Sequence, residues 1–424
     1  MSLYGVNQIS EDTGLSRREV LRHINGGTLI ATKMNGIYEI DDEVYREWKE
    51  NIPDLDQVEQ ESVFGGYGEE NFQTNNEDRI VNVDLGQDNQ VANINNDELV
   101  DLESELTFAD FFSGAGGISL GFIKAGYRPV AYIDNFAEAT QTYEYNIRNR
   151  YGFNLEQEFG IKNITNPDVK QEIIEILTDN HPRVICGGFP CQGFSLSGTS
   201  IATDERNTLY QDMLEIVNVV RPEYIVMENV TGILSMLDGN VIRRIINDYY
   251  NIGYEISWRI LDSVEYGVAQ HRKRVIFVGN RVGQMNPFPL KTVSRFRTVE
   301  DEIGRFVGRG EQPEINHIFS RHSLEMQRRL AEVELGGTLY ENYSDSWKKC
   351  PPDQPSCTIK ENHGATNIHY EEPRVITPRE MAALQSFPDD YYFCGPKTKQ
   401  IKQIGNAVPP LMAKAIALAL IDYL

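Results

Sequence analysis

From Leu106 onward the sequence predicts an α/β domain built on an open, mostly parallel sheet, and three observations lead there. Six short runs, "TFADFFSG", "PVAYIDN", "RVICGGFP", "YIVMENV", "EISWRILDS" and "RVIFVGN", are apolar and rich in β-branched and aromatic residues. Between them lie stretches such as "NPDVKQEIIEILTDN", "LYQDMLEIVNVV" and "NVIRRIINDYY", whose apolar residues follow helical spacing. Alternating strands and helices favour a parallel sheet, with ligands at the carboxyl ends of the strands, and every unusual motif of the chain falls at such an end.

The chain ahead of that domain divides in two. Residues 1–50 open with "YGVNQISEDTGLSRREVLRHINGG", where Val6, Ile9, Leu15, Val20, Leu21 and Ile24 are the apolar positions and Ser10 and Ser16 are possible helix N-caps around a "TGLS" turn. The following "TLIATKMNGIYEIDDEVYREWKEN" alternates, turns at Asn35-Gly36, returns as "IYEI" and ends in a short amphipathic helix. Two helices and a hairpin resemble the winged helix-turn-helix of excisionase-like proteins, in which Ser16 to Ile24 would be the recognition helix with Arg17, Arg18, Arg22 and His23 near DNA. A protein-binding adaptor of the same shape is the alternative. Residues 51–105 are rich in Asn, Gln, Asp and Glu without apolar periodicity, and read as a mostly disordered acidic linker. Such a run is ordinarily a solvated tether; a sharper reading is that it imitates DNA before a basic cleft.

Charge follows the same division. The chain of 424 residues has a net charge of −23, yet residues 51–105 hold 15 acidic and 1 basic group, against 9 and 6 before them and 39 and 33 after them. Most of the excess sits in the linker, so global acidity does not argue against DNA binding. With five cysteines, no charged-then-apolar leader at Met1 and no apolar run near 18 residues, the expectation is a cytoplasmic, nucleoid-associated protein with reduced thiols. Cys186, Cys191, Cys350, Cys357 and Cys394 offer no C-x-x-C spacing, so no metal site is expected.

Within the large domain, "FADFFSGAGGISLGF" closes a strand into a Gly-rich turn that opens a helix, where glycines let the backbone approach a ligand. Alone the "GAGG" turn is a weak signal, lacking both G-x-G-x-x-G and G-K-[ST]. About twenty residues on, "AYIDN" ends a second strand at Asp134, where a carboxylate can accept from a ribose diol. In "CGGFPCQGFS", Cys191 follows Pro190 at a strand end and precedes a Gly-, Ser- and Thr-rich run suited to a lid. A thiol there is placed to act as a nucleophile, whereas Cys186, inside the strand, reads as a small buried residue. Glu228-Asn229 ends "IVMENV", the carboxylate being either an acid/base or a structural acceptor. In "QHRKRV", Gln270, Arg272 and Arg274 alternate, so both arginines are expected on one strand face.

Together "FFSGAGG", "GGFPCQGFS", "ENV", "QHRKR", "RVITPREMAALQSFPDDY" and "IGNAVPP" occur in the order and rough spacing of the cytosine-5 DNA methyltransferases, which the chain resembles from Phe108 to about Leu424. The resemblance implies a Rossmann-like methyltransferase sheet over residues 106–284, a small target-recognition lobe over 285–373 and a segment, 374–424, that returns to the catalytic domain. It also implies S-adenosylmethionine as methyl donor, no metal, and a cytosine flipped out of double-stranded DNA as acceptor. Cys191 would bond to C6 of the base and so load electron density onto C5. Glu228 would hold N3 and the exocyclic amine, and Arg274, supported by Arg272, the base O2 or adjacent backbone.

For the donor, the resemblance implies Phe112, Gly114 and Gly116 around the methionine and adenine portions, Asp134 at the ribose, and Asn163, Ile164, Pro190 and Leu209 about the adenine and methyl end. Asn406 and Val408 would complete the pocket from the C-terminal helix. Asn163 departs from the Asp common in the family, and its carbonyl can still accept from the adenine amine. Gln192, Ser195 and Gln270 would contact DNA, as would Arg321 and Arg328 of the variable stretch. That stretch is short, which leaves room for site choice through the N-terminal unit or a partner subunit, in a restriction or phage-defence setting. Two other readings are a non-catalytic DNA-binding regulator, against which Cys191, Glu228 and Arg274 all stand, and cytosine-5 methylation of RNA.

Overall fold

The computed structural model describes residues 105–149, 162–190, 209–237, 239–340, 347–361 and 367–424, with scattered positions before 105. Two compact units result, Met1–Glu98 and Leu99–Leu424. In the first, strands β1 (Leu3–Tyr4), β2 (Thr32–Met34) and β3 (Ile37–Asp41) form a small antiparallel sheet in the order β1-β3-β2. Met34 pairs with Ile37 in the antiparallel register of β2 and β3, and the expected turn at Asn35-Gly36 lies outside the described residues. Arg17, Arg18, Arg22, the acidic linker and most of the residues expected to form a helix-turn-helix lie outside the described residues, among which Ile9 and Val20 are isolated helical positions.

The second unit is a six-stranded sheet, β5-β4-β6-β7-β9-β8, comprising β4 (Thr107–Phe111), β5 (Arg128–Ile133), β6 (Val184–Gly187), β7 (Tyr224–Val230), β8 (Glu255–Asp262) and β9 (Lys273–Asn280). The first four run parallel, and β9 is antiparallel to both β7 and β8. Strands β4 and β6 are buried along their whole length, which is why β6 reads as an unbroken apolar run and β4 does so apart from Thr107 and Asp110. The crossover helices are α1 (Gly117–Ile123), α2 (Ala137–Tyr143), α3 (Pro167–Asn180), α4 (Leu209–Val220) and α5 (Asn240–Asn251). Asn166 caps α3 by accepting from the Asp168 and Val169 amides, and Pro167 occupies the first turn, where its missing N–H costs nothing.

Beyond the sheet lie the short helices α6 (Val299–Ile303), α7 (Leu324–Glu332) and α8 (Pro378–Leu384), then α9 (Lys397–Asn406) and α10 (Pro410–Ile421). The Thr377 hydroxyl and the Glu380 carboxylate cap α8 reciprocally, and Glu380 also takes a two-pronged bond from Arg374, at 2.8 and 2.7 Å. The "PRVITPRE" stretch is therefore scaffold. The α9–α10 stretch does reach membrane-like apolarity, with a mean hydropathy of 1.6 over an 18-residue window, against the expectation that no such run exists. It is two helices, interrupted before Pro409 and Pro410, and Met412, Ile416 and Leu420 are core residues.

Helix α10 closes on α1 with backbone-to-backbone contact. A Cβ at Gly117 would stand 2.2 Å from the Val408 carbonyl oxygen, and one at Gly121 would stand 2.6 Å from the Pro410 carbonyl oxygen. The Tyr127 hydroxyl then donates to the Ala417 carbonyl at 3.0 Å. Phe108, Phe122 and Tyr127 pack as an aromatic cluster beneath this contact, each burial contributing roughly 1.5–3 kcal/mol.

Candidate active site

The turn after β4 is strained in a way that suits ligand approach. Phe112 has φ 56°, a left-handed conformation unusual for a residue with a side chain, and Gly114 and Gly116 follow at 53° and 82°. The turn is pinned from several sides. Ser113 donates its amide to Ile133 at 3.1 Å, and the Tyr391 hydroxyl donates to the Ala115 carbonyl at 2.5 Å. Asp134, one residue past β5, accepts from the Gly114 amide at 2.8 Å through one oxygen and from the Phe136 amide at 2.7 Å through the other. Burial raises its pKa, opposed by those amides and by Lys402. The carboxylate's two oxygens still hold acceptor capacity for a further donor. A Cβ on Gly114 would meet no atom within 4 Å, so open space lies beside the turn. An open glycine turn next to a carboxylate fits a nucleoside-bearing donor.

The other residues expected at this pocket are placed unequally. The Lys162 amide donates to the Asp134 carbonyl at 3.0 Å, which brings Asn163 and the buried Ile164 beside it. Asn163 is exposed and its Oδ1 accepts from the amide and hydroxyl of Thr165, at 3.2 and 3.0 Å. Leu209 opens α4 half-buried, Pro190 is exposed, and Val408 is buried over Gly117. Asn406 is exposed and donates to Glu361 at 2.9 Å.

One group that motif reading missed lies below the pocket. Asp110 on β4 is fully buried; its Oδ2 accepts from the Ser119 hydroxyl at 2.6 Å, and Ser119 accepts from Tyr143 at 2.9 Å. Its Oδ1 has no partner. Burial pushes its pKa up to about 7, against the lowering pull of Ser119. The folded protein therefore holds a proton there that the unfolded chain releases near 3.8, and the stability that this proton supplies is lost as pH rises from about 4 to about 7. Asp110→Asn, which keeps the acceptor for Ser119, is expected to flatten the fall of Tm across that window. A slope equal to wild type would remove Asp110 as its source.

On the other side of the sheet's carboxyl edge, Glu228 of β7 and Arg274 of β9 meet. Val230 pairs with Arg274 in the antiparallel register, which sets Glu228 and Arg274 diagonally on one face. Arg274 Nε lies 2.7 Å from Glu228 Oε1, and the two side chains are 12% and 13% exposed. The second oxygen, Oε2, points toward Gly188, whose added Cβ would stand 3.1 Å from it. The neighbouring Asn229, buried, donates to the Phe189 carbonyl at 2.9 Å and so holds the "GGFP" segment. Cys191, directly after Pro190, lies outside the described residues together with Gln192 and Ser195.

Two residues differ from expectation. Arg272 does not share the cleft with Arg274: it is 1% exposed and donates to the Ile359 carbonyl at 3.1 Å and the Gly405 carbonyl at 2.8 Å. It precedes β9 rather than belonging to it, so strand alternation does not govern it, and burial pushes its pKa down to about 9. Gln270, expected at DNA, is wholly buried and accepts from the Ile359 amide at 2.8 Å. Both tie the base of β9 to the segment at 354–361. Arg321 and Arg328 are exposed, Arg321 pairing with Glu311 at 2.7 Å. Among the described residues no group of His, Cys, Asp and Glu is arranged to hold a metal ion.

Comparison with known proteins agrees with this arrangement. The profile of the C-5 cytosine-specific DNA methylase family matches residues 106–422. Type II methyltransferase M1.HphI of Haemophilus parahaemolyticus is 35% identical over 333 residues, covering 74% of this chain and 87% of its own. Type II methyltransferase M.DdeI of Desulfomicrobium norvegicum is 31% identical over 373 residues, with 74% and 88% covered. Among solved structures, a protein described as a DNA modification methyltransferase encoded within an E. coli prophage superposes with a TM-score of 0.60 at 24% identity, over 74% of this chain and 98% of that one. The methyltransferase EhMeth of Entamoeba histolytica gives 0.54 at 16%, over 76% and 100%. These two show the same fold. The match across the whole α/β unit, with the glycine turn, "ENV" and "QHRKR" in place, establishes that the chain belongs to the C-5 cytosine-specific DNA methylase family and is a DNA (cytosine-5)-methyltransferase.

Proposed function

We propose that the chain methylates C5 of a flipped cytosine within one short duplex site, as the modification enzyme of a restriction-modification or phage-defence system, acting in the cytoplasm. The Glu228–Arg274 pair carries this reading, since it presents an oriented carboxylate at a strand end beside the segment that leads into Cys191. C5 of cytosine is a poor nucleophile. The Cys191 thiolate attacks C6, and Glu228 holds the N3 proton and exocyclic amine as the ring accepts that bond. Arg274 fixes Glu228 through Oε1 and reaches toward the base O2, while Arg272 acts as a positioning residue behind it. After C5 is methylated it loses its proton, the thiolate leaves C6 and the aromatic ring returns.

S-adenosylmethionine, when bound, supplies the electrophilic methyl group. Phe112, Gly114, Gly116 and Asp134 would hold it, with Ile164, Pro190, Leu209 and Val408 as the apolar walls. Asn163 and Asn406 contribute less, because their polar groups are engaged with Thr165 and Glu361. Asn163→Asp keeps the acceptor for Thr165 and adds charge toward the adenine amine, so donor Kd should fall by roughly three- to tenfold; an unchanged value by calorimetric titration would place Asn163 outside the pocket. Gln192, Ser195, Arg321 and Arg328 are assigned to DNA, and Arg17, Arg18 and Arg22 to a second DNA contact by an N-terminal winged helix-turn-helix.

Glu228→Gln should lower kcat by roughly 10²–10⁴-fold with donor affinity unchanged. Equal loss of donor binding would show a structural rather than a chemical role. The activity itself is tested by expression in a host without cytosine methylation and base-resolution mapping of 5-methylcytosine. Methylation confined to one short motif is expected, and its absence from a folded, donor-binding protein overturns the proposal.

A further inference from the structure

Away from the cleft, the segment "CPPDQPSC" brings two thiols together. Cys350 Sγ and Cys357 Sγ lie 3.7 Å apart, Cys350 4% exposed and Cys357 half-buried, with Cys357 also against Asn367 Oδ1 at 3.3 Å. Both flanks of the segment are fixed. The Pro352 and Gln354 carbonyls accept from the Glu300 and Val299 amides at 2.9 Å, and Ser356 exchanges backbone bonds with Ala269 and His271 at 2.9 Å. Pro351, Pro352 and Pro355 stiffen what lies between. Closing the pair to the sulfur–sulfur bond length of about 2.05 Å brings the two sulfurs together from 3.7 Å.

The environment also sorts this pair from the other described cysteines. Burial raises Cys186 and Cys394, whereas the thiol and amide of Cys357 and the charge of Lys348 lower Cys350 despite its burial. A thiolate stabilised by its own resolving partner is the arrangement of a two-cysteine oxidation site.

We propose that Cys350 and Cys357 form a reversible oxidation site that takes hydrogen peroxide as oxidant and closes an intrachain disulfide across residues 350–357. One thiolate attacks the peroxide, the O–O bond breaks, and hydroxide leaves to take up a proton as water, giving a sulfenic acid. The second thiol displaces the sulfenic oxygen as a second water and forms the S–S bond. The two sulfurs together lose two electrons and the peroxide gains them. The bond lies on the strap whose Ile359 holds Gln270 and Arg272, so its closure stiffens the wall behind Arg274.

The test uses the full chain in the Cys191→Ser background, which removes the other expected nucleophile, treated with hydrogen peroxide and mapped by mass spectrometry after alkylation. The expected result is a peptide linking Cys350 to Cys357, lighter by two hydrogens, with loss of two alkylatable thiols and full recovery in dithiothreitol. Cys350→Ser should abolish the link and leave Cys357 trappable as a sulfenic acid, and Cys357→Ser should do the converse. The wild-type strap gives its answer even where a variant fails to fold. Full alkylation of both thiols after peroxide, a link to a different cysteine, or unlinked sulfinic acid at both positions would each overturn the proposal.

Discussion

Cys191→Ser is expected to abolish methyl transfer to DNA while leaving donor binding intact. The attacking atom must be anionic at neutral pH and soft enough to add to C6, and a thiol with pKa near 8.5 reaches that state far more readily than a serine hydroxyl. The donor pocket proposed above, by contrast, consists of the turn after β4, Asp134 and Val408 ahead of α10, none of which depends on the sulfur. Incorporation of labelled methyl groups and titration with S-adenosylhomocysteine separate the two properties. Substantial turnover by the serine variant would take Cys191 out of the mechanism. Loss of donor binding along with turnover would show that the serine perturbs the pocket and says nothing for a covalent step. Combined with Glu228→Gln, the losses should be far from additive, since both residues serve one addition to the ring.

Gly117→Ala is expected to be among the most damaging single methyl additions in the α/β unit. The new Cβ would stand 2.2 Å from the Val408 carbonyl oxygen and 3.3 Å from its carbon, both backbone atoms, so no rotamer change relieves it. Helix α1 must move off the α9–α10 junction, costing about 3 kcal/mol or more, and the glycine turn ahead of α1 moves with it. A lower denaturant midpoint and a donor Kd weakened at least tenfold should appear together. Gly114→Ala is the control: nothing lies within 4 Å of its Cβ, and only its φ of 53° opposes a side chain, at about 1–2 kcal/mol. A loss from Gly117→Ala no larger than that from Gly114→Ala would show that the contact with Val408 yields to a methyl group.

How far the chain could be read from its sequence depends on whether a rule of local geometry applied. "LYQDMLEIVNVV" is helix from Leu209 to Val220, because its apolar residues keep one phase throughout. "RVICGG" is a buried parallel strand ending where its glycines begin. The pairing of Glu228 with Arg274 was not legible, because nothing local says that β9 inserts between β7 and β8. Arg272 and Gln270 were misplaced for a related reason: period-two alternation holds within a strand, and both lie before β9, where the partner is the strap at 354–361. Asp110 went unremarked because an apolar run hides one acid, and only the packed sheet shows that it has no water.

The contact of α10 with α1 also constrains the order of events in the cell. Tyr127 waits for a partner 290 residues downstream, and the wall over Gly117 does not exist until Val408 has been made. A ribosome-bound chain can build β4, β5 and the crossover helices, yet the helix that follows the glycine turn stays uncovered on its Gly117 face until the chain has been made past Val408.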